Sequence, residues 1–153
     1  YFGQVARDAS DSVRSYQDAG NEEQKVLWTG KRNEAFDSSA VYYKRTIDAH
    51  PDDVLALEQY GTITGLREKY PEAAGAFKKL AELEPDRSEY WRAYGDFSLR
   101  LKDFDEAITA YERTVELEPD DAETWDRLAG LYKEKGMTQK EQQATQKYNE
   151  LKK

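Results

Sequence analysis

The sequence lacks cysteine altogether and has a single histidine and a single methionine among its 153 residues. The absence of cysteine excludes disulfides, thiol nucleophiles and thiolate metal sites, and it leaves the redox compartment open. One histidine excludes a histidine-based triad and a multi-histidine metal site. That residue, His50, stands just before Pro51 in a predicted turn. We therefore predict that the chain is not an enzyme and has no catalytic residues, no metal site and no cofactor.

Aliphatic residues are also scarce, since Leu, Ile, Val and Phe make up only 26 of the 153 residues. The mean hydropathy is −1.01, and such a composition is close to that of disordered chains. The eleven Tyr, three Trp and five Phe argue against disorder, because each ring can bury about 150 to 250 Å². No run approaches the roughly 18 apolar residues of a membrane span. We expect a soluble segment whose core is built largely from Tyr, Trp and Ala.

Basic runs are missing too. The chain has 23 Lys and Arg against 31 Asp and Glu, for a net charge of −8, which disfavours binding to nucleic acid or to an anionic membrane surface. The first residue is Tyr1, so we expect a processed or excised piece of a longer chain. A cytoplasmic or an extracytoplasmic location, and an upstream anchor or signal, stay open.

A period of 34 residues runs through the sequence. Pro51, Pro85 and Pro119 follow one another at this step, and the sequence Leu-Glu-Pro-Asp around Pro85 recurs around Pro119. Further pairs keep the same register: Trp91 and Trp125, Gly61 and Gly95, Ala73 and Ala107, Phe77 and Tyr111. A period of this length is typical of stacked helical or propeller repeats.

Each period contains two apolar stripes at helical spacing with a break between them. In the third period the first stripe is Trp91, Tyr94, Gly95, Ser98 and Leu101, and the second is Phe104, Ala107, Ile108, Tyr111 and Val115. The proline that follows ends the second helix. Gly61 and Gly95 on first helices, and Ala73 and Ala107 on second helices, stand where the two helices approach most closely. The pattern predicts helical hairpins.

This pattern resembles the tetratricopeptide repeat family, a 34-residue helix-turn-helix. The matching residues are Trp91, Tyr94, Gly95, Ala107, Tyr111 and Pro119 in one repeat, and Leu57, Tyr60, Gly61, Ala73, Phe77 and Pro85 in the repeat before it. The resemblance implies an all-α fold, a right-handed α-solenoid of about four hairpins. It also implies a protein-interaction or assembly scaffold that binds a peptide or protein segment on the concave face of its first helices.

The chain divides accordingly into five segments. Residues 54–87 and 88–121 are predicted hairpins, and 122–153 is a hairpin with a polar capping helix. Residues 20–53 form a degenerate hairpin, and residues 1–19 form an N-terminal amphipathic helix. The apolar stripe of that helix is Phe2, Val5, Ala9, Val13 and Tyr16. It packs against the 20–53 segment as a cap or docks on another chain, and both interpretations stay open.

The predicted partner-binding residues lie off the core stripes of the first helices. Arg92, Asp96 and Arg100 stand at i, i+4 and i+8, which is either a solvated ion network or a site for a partner carboxylate. Arg127 would reinforce such a site. The predicted set is Arg92, Asp96, Arg100, Arg127, Lys133, Glu58, Gln59 and Trp28.

Three functional hypotheses follow. The first is the peptide-binding scaffold, with a partner that carries acidic or carboxylate groups. The second is a self-associating structural module, that is, a homo-oligomer. The third is a regulatory fragment of a larger membrane-anchored protein. Trp28 is either an anchor for a partner or is buried against the 1–19 helix.

Overall fold

The structure, a computed structural model, describes residues 22–153, and these residues form seven helices with no strand among them. The helices are α1 Glu22–Ala49, α2 Val54–Leu66, α3 Tyr70–Leu83, α4 Ser88–Arg100, α5 Phe104–Leu117, α6 Ala122–Glu134 and α7 Thr138–Leu151. The predicted all-helical fold is confirmed. The predicted 1–19 helix lies outside the described residues. The described residues separate into two compact units, 22–69 and 70–153.

The turn that follows each first helix recurs with the 34-residue period. Glu68, Lys102 and Gly136 have φ angles of 58°, 61° and 69°. At each turn the next N–H donates to a carbonyl five residues back, over 2.7 to 2.9 Å, as in the bond from Asp103 N to Ser98 O. This is a Schellman cap, which satisfies the last carbonyls of the helix. Two of the three positions are not glycine, so the turn is imposed by the packing around it and not by the residue's own preference.

The junction between repeats is equally regular. The indole Nε1 of Trp91 donates to the carbonyl of Pro85 over 3.0 Å, and Trp125 makes the same bond to Pro119 over 3.0 Å. The carboxylate of Asp121 then caps α6 by accepting from the backbone N–H of Thr124 over 3.2 Å. The spacing between Pro and Trp, which recurs in two successive repeats, therefore reflects a direct contact at the start of each new helix.

In the second unit, each of the helices α3 to α7 packs on the next one along the chain. The main cluster of this unit is Ala107, Ile108, Tyr111, Val115, Leu128, Leu131, Tyr132 and Ala144. Tyr111 is completely buried, and its ring lies against the backbone of Gly95. The prediction that Gly95 marks a close helix approach is confirmed, because an ideal Cβ there would stand 2.6 Å from Cε1 of Tyr111.

The first unit departs from the sequence prediction. Residues 20–53 were expected to form a hairpin, but α1 is one continuous helix of 28 residues. The residue equivalent to Gly95 in that segment is Leu27, and the one equivalent to Tyr111 is Tyr43. A hairpin would therefore place a leucine side chain where the ring must meet bare backbone. Gly30 is the one glycine within α1, and it costs only about 1 kcal/mol inside a helix, so the helix continues.

α1 packs on α2 in this unit, and an ion pair fixes the contact. The guanidinium of Arg67 donates from Nε and Nη2 to the two carboxylate oxygens of Asp37, each over 3.1 Å. Lys69 Nζ lies 3.8 Å from the same carboxylate. A bidentate pair of this kind sets orientation as well as distance. Asp37 is thus a mid-helix residue that holds the end of α2.

The outer face of α7 is polar and mostly exposed, as expected for the last helix of a repeat array. Glu141 and Thr145 occupy the positions of Ala107 and Tyr111 in the preceding repeat. Both are accessible, and they border a shallow depression with Gln142, Gln146, Asn149, Glu150 and Lys153. A further first helix would have no apolar surface to pack against there.

The Gly95 contact yields a test of the repeat packing. We expect Gly95→Ala to destabilise the protein by about 1 to 3 kcal/mol, because the added methyl group clashes with a buried ring that has no free space. Alanine normally stabilises a helix relative to glycine, so the sign itself is diagnostic. Urea unfolding followed by circular dichroism measures the change.

Gly130→Ala is the matched control. Gly130 is also helical, but a Cβ added to it would meet nothing within 4 Å, so we expect a gain of up to about 1 kcal/mol. Equal effects of the two substitutions would contradict the close approach at Gly95.

Candidate functional site

The first helices of the second unit, α4 and α6, share one surface. Arg92 Nη1 lies 3.6 Å from Asp121 Oδ2 at the start of α6, and Arg127 in the middle of α6 binds Asp96 of α4. The residue later in α4, Asp96, contacts the residue later in α6, Arg127, so α4 and α6 run parallel. Their last turns, which contain Arg100 and Lys133, therefore lie at the same end of this surface, named here the α4/α6 face.

The charges on this face are not paired as the sequence suggested. Asp96 was expected between Arg92 and Arg100, but its carboxylate accepts instead from Arg127 Nη1 and from the hydroxyl of Tyr111, the latter over 2.6 Å. Arg92 approaches Asp121. Arg100 places its guanidinium 5.3 Å above the ring of Tyr70. The expectation failed because residues on neighbouring helices come closer to Asp96 than its own i±4 neighbours do.

Arg127 has the most intramolecular contacts of the predicted cations. Besides Asp96, it donates to Glu123 and to the Tyr111 hydroxyl, the last over 3.2 Å, and its guanidinium lies 5.8 Å from the centre of the Tyr111 ring. Burial, together with the hydrogen bond to Asp96, raises the pKa of Tyr111 well above its usual value. The hydroxyl therefore stays protonated and remains a donor at any physiological pH. Arg127 serves the helix packing first.

Two predicted cations remain accessible. Arg100 and Lys133 are both exposed, and neither has a carboxylate partner among residues 22–153. Glu89 and Glu123 stand in the first turns of the same helices. The α4/α6 face is thus acidic at one end and basic at the other, an arrangement that opposes the helix dipoles.

The cluster of Tyr111, Asp96 and Arg127 has two counterparts in this unit. The hydroxyl of Tyr94 donates to Glu106, which Lys78 approaches to 3.5 Å. The hydroxyl of Tyr132 donates to Glu112 over 2.8 Å, and Lys140 donates to the same carboxylate over 2.7 Å. In each cluster the cation also lies over the ring of the tyrosine, at 5.3 to 5.8 Å from its centre. Each cluster joins three consecutive helices.

Two of these ion pairs occupy equivalent positions with their charges exchanged. Lys78 and Glu106 lie exactly one period before Glu112 and Lys140. The tyrosine donor also changes position, because in each pair the tyrosine hydroxyl binds the carboxylate. Tyr94 donates to Glu106, whereas Tyr132, which stands one helical turn later in its own repeat, donates to Glu112. Burial raises the pKa of Glu112, but hydrogen bonds from Lys140 and Tyr132 outweigh it and lower that pKa below its usual value. Sequence reasoning missed these pairs; opposite charges at equivalent positions were the available signal.

The other predicted site residues lie in the first unit. Glu58 and Gln59 are half-buried on α2. Trp28 is half-buried on α1, with Lys31 Nζ 4.8 Å above its ring. The large apolar side chains that are most exposed in this unit were not predicted as a site: Val26, Leu27, Val41, Tyr42, Leu55 and Leu66.

A cleft of about 650 Å³ lies between α5, α6 and α7. Val115, Trp125 and Ala144 form its apolar floor, and charged residues of α5 and α7 line its walls. Most of the residues that line it belong to the second helices α5 and α7. None of them was predicted from the sequence as a binding residue.

Residues 22–153 hold no group of three or more His, Cys, Asp or Glu side chains placed to bind a metal ion. Within the same span, none of the helices combines the length and the apolar character that crossing a bilayer requires.

Comparison with known proteins now identifies the repeat. Residues 67–122, which include the Schellman turns at Glu68 and Lys102, match the tetratricopeptide repeat family. These residues are tetratricopeptide repeats. The resemblance inferred from the 34-residue period is confirmed. No curated protein sequence matches the chain.

Solved structures of MamA have the same fold. One MamA crystal structure is 24% identical, with a TM-score of 0.68, and the match covers 78% of this chain and 70% of that one. A second is 21% identical, with a TM-score of 0.66, over 94% of this chain and 74% of the other. A MamA mutant is 21% identical, with a TM-score of 0.68, over 99% of both chains. At these identities the likeness defines the fold, a tetratricopeptide-type helical repeat.

A tetratricopeptide-repeat fold is a scaffold for protein–protein interaction. Its hairpins present side chains on rigid helices, which suits the recognition of an extended or helical segment. Residues 67–122 belong to an interaction-scaffold family of this kind.

The polar cluster at Tyr111 yields a second test. We expect Tyr111→Phe to destabilise the protein by about 1 to 2 kcal/mol, because Asp96 and Arg127 lose a partner that is buried within the repeat. Tyr148→Phe is the matched control, since the Tyr148 ring contacts Lys152 and its hydroxyl has no hydrogen bond within the described helices. Urea unfolding of both variants measures the difference, and equal stability of the two would show that the Tyr111 hydroxyl contributes nothing.

Proposed function

We propose that the protein binds a segment of a partner protein on the α4/α6 face, with Arg100 and Lys133 receiving a carboxylate group of that partner. The observation that carries this proposal is that these two cations are exposed at one end of the face and have no acidic partner among the described residues. The other charges of the face are largely engaged with one another, and these internal pairs keep the face in shape.

The distribution of charge favours one orientation of the bound segment. Glu89 and Glu123 stand in the first turns of α4 and α6, and Arg100 and Lys133 stand in the last turns. A segment lying along the helices meets complementary charge when its acidic end is near Arg100 and Lys133. Asp126 is exposed between the two ends and repels a uniformly acidic segment. The partner that fits is thus a segment with an acidic end, and not a polyanion.

Arg92 and Arg127 have a supporting role in this proposal. Arg92 approaches Asp121, the residue that caps α6, and Arg127 joins α4 to α6 through Asp96. Both contacts fix the spacing of the two helices. Substituting either residue would mix a loss of binding with a change in packing, so neither is suitable for a first test.

Site-specific photo-crosslinking tests the proposal. A benzoylphenylalanine placed at Gly130, which is exposed on α6 with open space around it, should form crosslinks to a partner in an extract of the source cells. The same group at Gly75, on α3 and equally unobstructed, should not. We expect Arg100→Glu with Lys133→Glu to reduce the crosslinked product to about a tenth or less, a change of about 1.4 kcal/mol in binding.

Lys152→Glu with Lys153→Glu makes the same change of charge at the end of α7 and serves as the control, with no expected loss of crosslinking. Circular dichroism should show that both double variants stay folded. Crosslinks of equal yield at Gly75 and Gly130, or an undiminished yield in the Arg100 and Lys133 variant, would contradict the proposal.

Self-association is a second candidate function, favoured by the apolar residues on α1. Leu27 and Val41 are 55% and 54% exposed. They are 14 residues apart, close to four helical turns, and so lie on the same side of the helix. Val26 and Tyr42, next to them in the sequence, are 69% and 56% exposed and flank this pair on either side of the helix. Exposed apolar residues aligned along one helix are a common feature of helix-mediated interfaces.

Sedimentation velocity across a wide range of protein concentration tests this second function. We expect a concentration-dependent increase in mass that Leu27→Glu with Val41→Glu abolishes, because a charge on an apolar contact must be desolvated when the interface forms. Met137→Glu introduces a charge at an exposed apolar residue of the second unit and should leave the association unchanged. A wild-type protein that stays monomeric at the highest concentration would exclude self-association through α1.

A further inference from the structure

One of the four charged residues that line the cleft between α5, α6 and α7 lacks an ion-pair partner among the described residues. On one wall, Glu112 accepts from Lys140 across the cleft, and Glu116 accepts from Arg113 over 2.9 Å. On the other wall, Lys147 borders the cleft and has no carboxylate partner among residues 22–153. Lys147 is therefore the one charged residue among those bordering the cleft that has no ion-pair partner in the described part of the chain.

In the preceding repeat, the residue equivalent to Lys147 does have carboxylate partners. The equivalent residue is Arg113, one period earlier, and its guanidinium contacts two carboxylates. Nη1 lies 2.9 Å from Glu116, and Nη2 lies 3.8 Å from Asp86. A cation at this place in the repeat thus has carboxylate neighbours in the interior of the array.

The last repeat does not supply the same partners. The equivalent of Glu116 is Glu150, and its carboxylate accepts instead from Gln146 over 2.9 Å. The equivalent of Asp86 is Asp120, which has no ion pair with Lys147. No carboxylate of the described residues therefore pairs with Lys147.

The floor of the cleft adds an apolar requirement. The indole of Trp125 is half-buried, and its N–H is already bonded to the carbonyl of Pro119. Only the apolar surface of the ring is available to a ligand, next to the side chains of Val115 and Ala144. An indole of this kind favours an aliphatic or aromatic side chain.

We propose that this cleft is a second binding site, for a peptide segment that places an apolar side chain on Trp125 and a neighbouring carboxylate on Lys147. Complementary charge commits the site to an acidic and apolar partner segment, since the acidic wall is neutralised internally and Lys147 is not. The site includes none of the predicted residues of the α4/α6 face, so the scaffold has two surfaces for protein segments, one on α4 and α6 and one between α5, α6 and α7.

NMR titration of the tryptophan indole N–H signals tests the proposal. The probe is an acetylated and amidated hexapeptide of alternating Glu and Phe, compared with the same peptide that has Gln in place of Glu. We expect a saturable shift of the Trp125 signal with the acidic peptide, while the Trp91 signal stays in place. The spectra of Trp91→Phe and Trp125→Phe assign the two signals.

Charge reversal locates the carboxylate. We expect Lys147→Glu to weaken binding of the acidic peptide by about tenfold or more. Lys153→Glu, just beyond the end of α7 and outside the cleft, should leave the affinity unchanged. Arg100→Glu with Lys133→Glu should also leave it unchanged, so failure at the α4/α6 face and failure at this cleft are distinguishable. No Trp125 shift, equal affinity for the two peptides, or unaltered affinity in Lys147→Glu would each overturn the proposal.

Discussion

The contact between the Tyr111 ring and the backbone at Gly95 determines the geometry of the second unit. Because Gly95 has no Cβ, α5 can approach α4 closely enough for the ring to be completely buried. The same approach carries the hydroxyl of Tyr111 to the carboxylate of Asp96. Arg127 of α6 then completes the cluster. One absent methyl group thus fixes the distance between two helices and, through the phenol, the place of a third.

The polar clusters explain how a chain so poor in aliphatic residues holds its helices together. A tyrosine buries its ring in the core and donates its hydroxyl to a carboxylate at the edge of that core, and a cation covers both. The exchange of charge between the pair of Lys78 and Glu106 and the pair of Glu112 and Lys140 shows that the repeat preserves the pairing and not the sign of either position. The tyrosine donor moves by one helical turn to stay with the carboxylate.

The period of 34 residues was sufficient to predict the interior repeats. Gly95 meets Tyr111 at a close helix approach as predicted, and the structure adds hydrogen bonds from tryptophan to proline and turns between paired helices that recur at the same step. The first unit could not be predicted in this way, because a degenerate motif still looked like a hairpin. The difference visible in the sequence is Leu27, which stands where two interior repeats have glycine.

The predicted site residues were limited by a different factor. The sequence shows which charges lie on the surface of a first helix, but their partners come from other helices and depend on packing. Arg127 and Arg100 look alike in the sequence, yet one is bound to Asp96, Glu123 and Tyr111 and the other has only the ring of Tyr70. Binding residues can therefore be predicted only after the charged residues that pair within the protein have been identified and set aside.

Setting these paired residues aside points to the last described repeat. In the interior, Arg113 on a second helix has the carboxylates of Glu116 and Asp86 near its guanidinium. In the last described repeat the equivalent acidic residues turn elsewhere or remain apart, which leaves Lys147 without a carboxylate in the described part of the chain. Lys147 is thus available to a partner, whereas its equivalent Arg113 is used for packing within the repeat array.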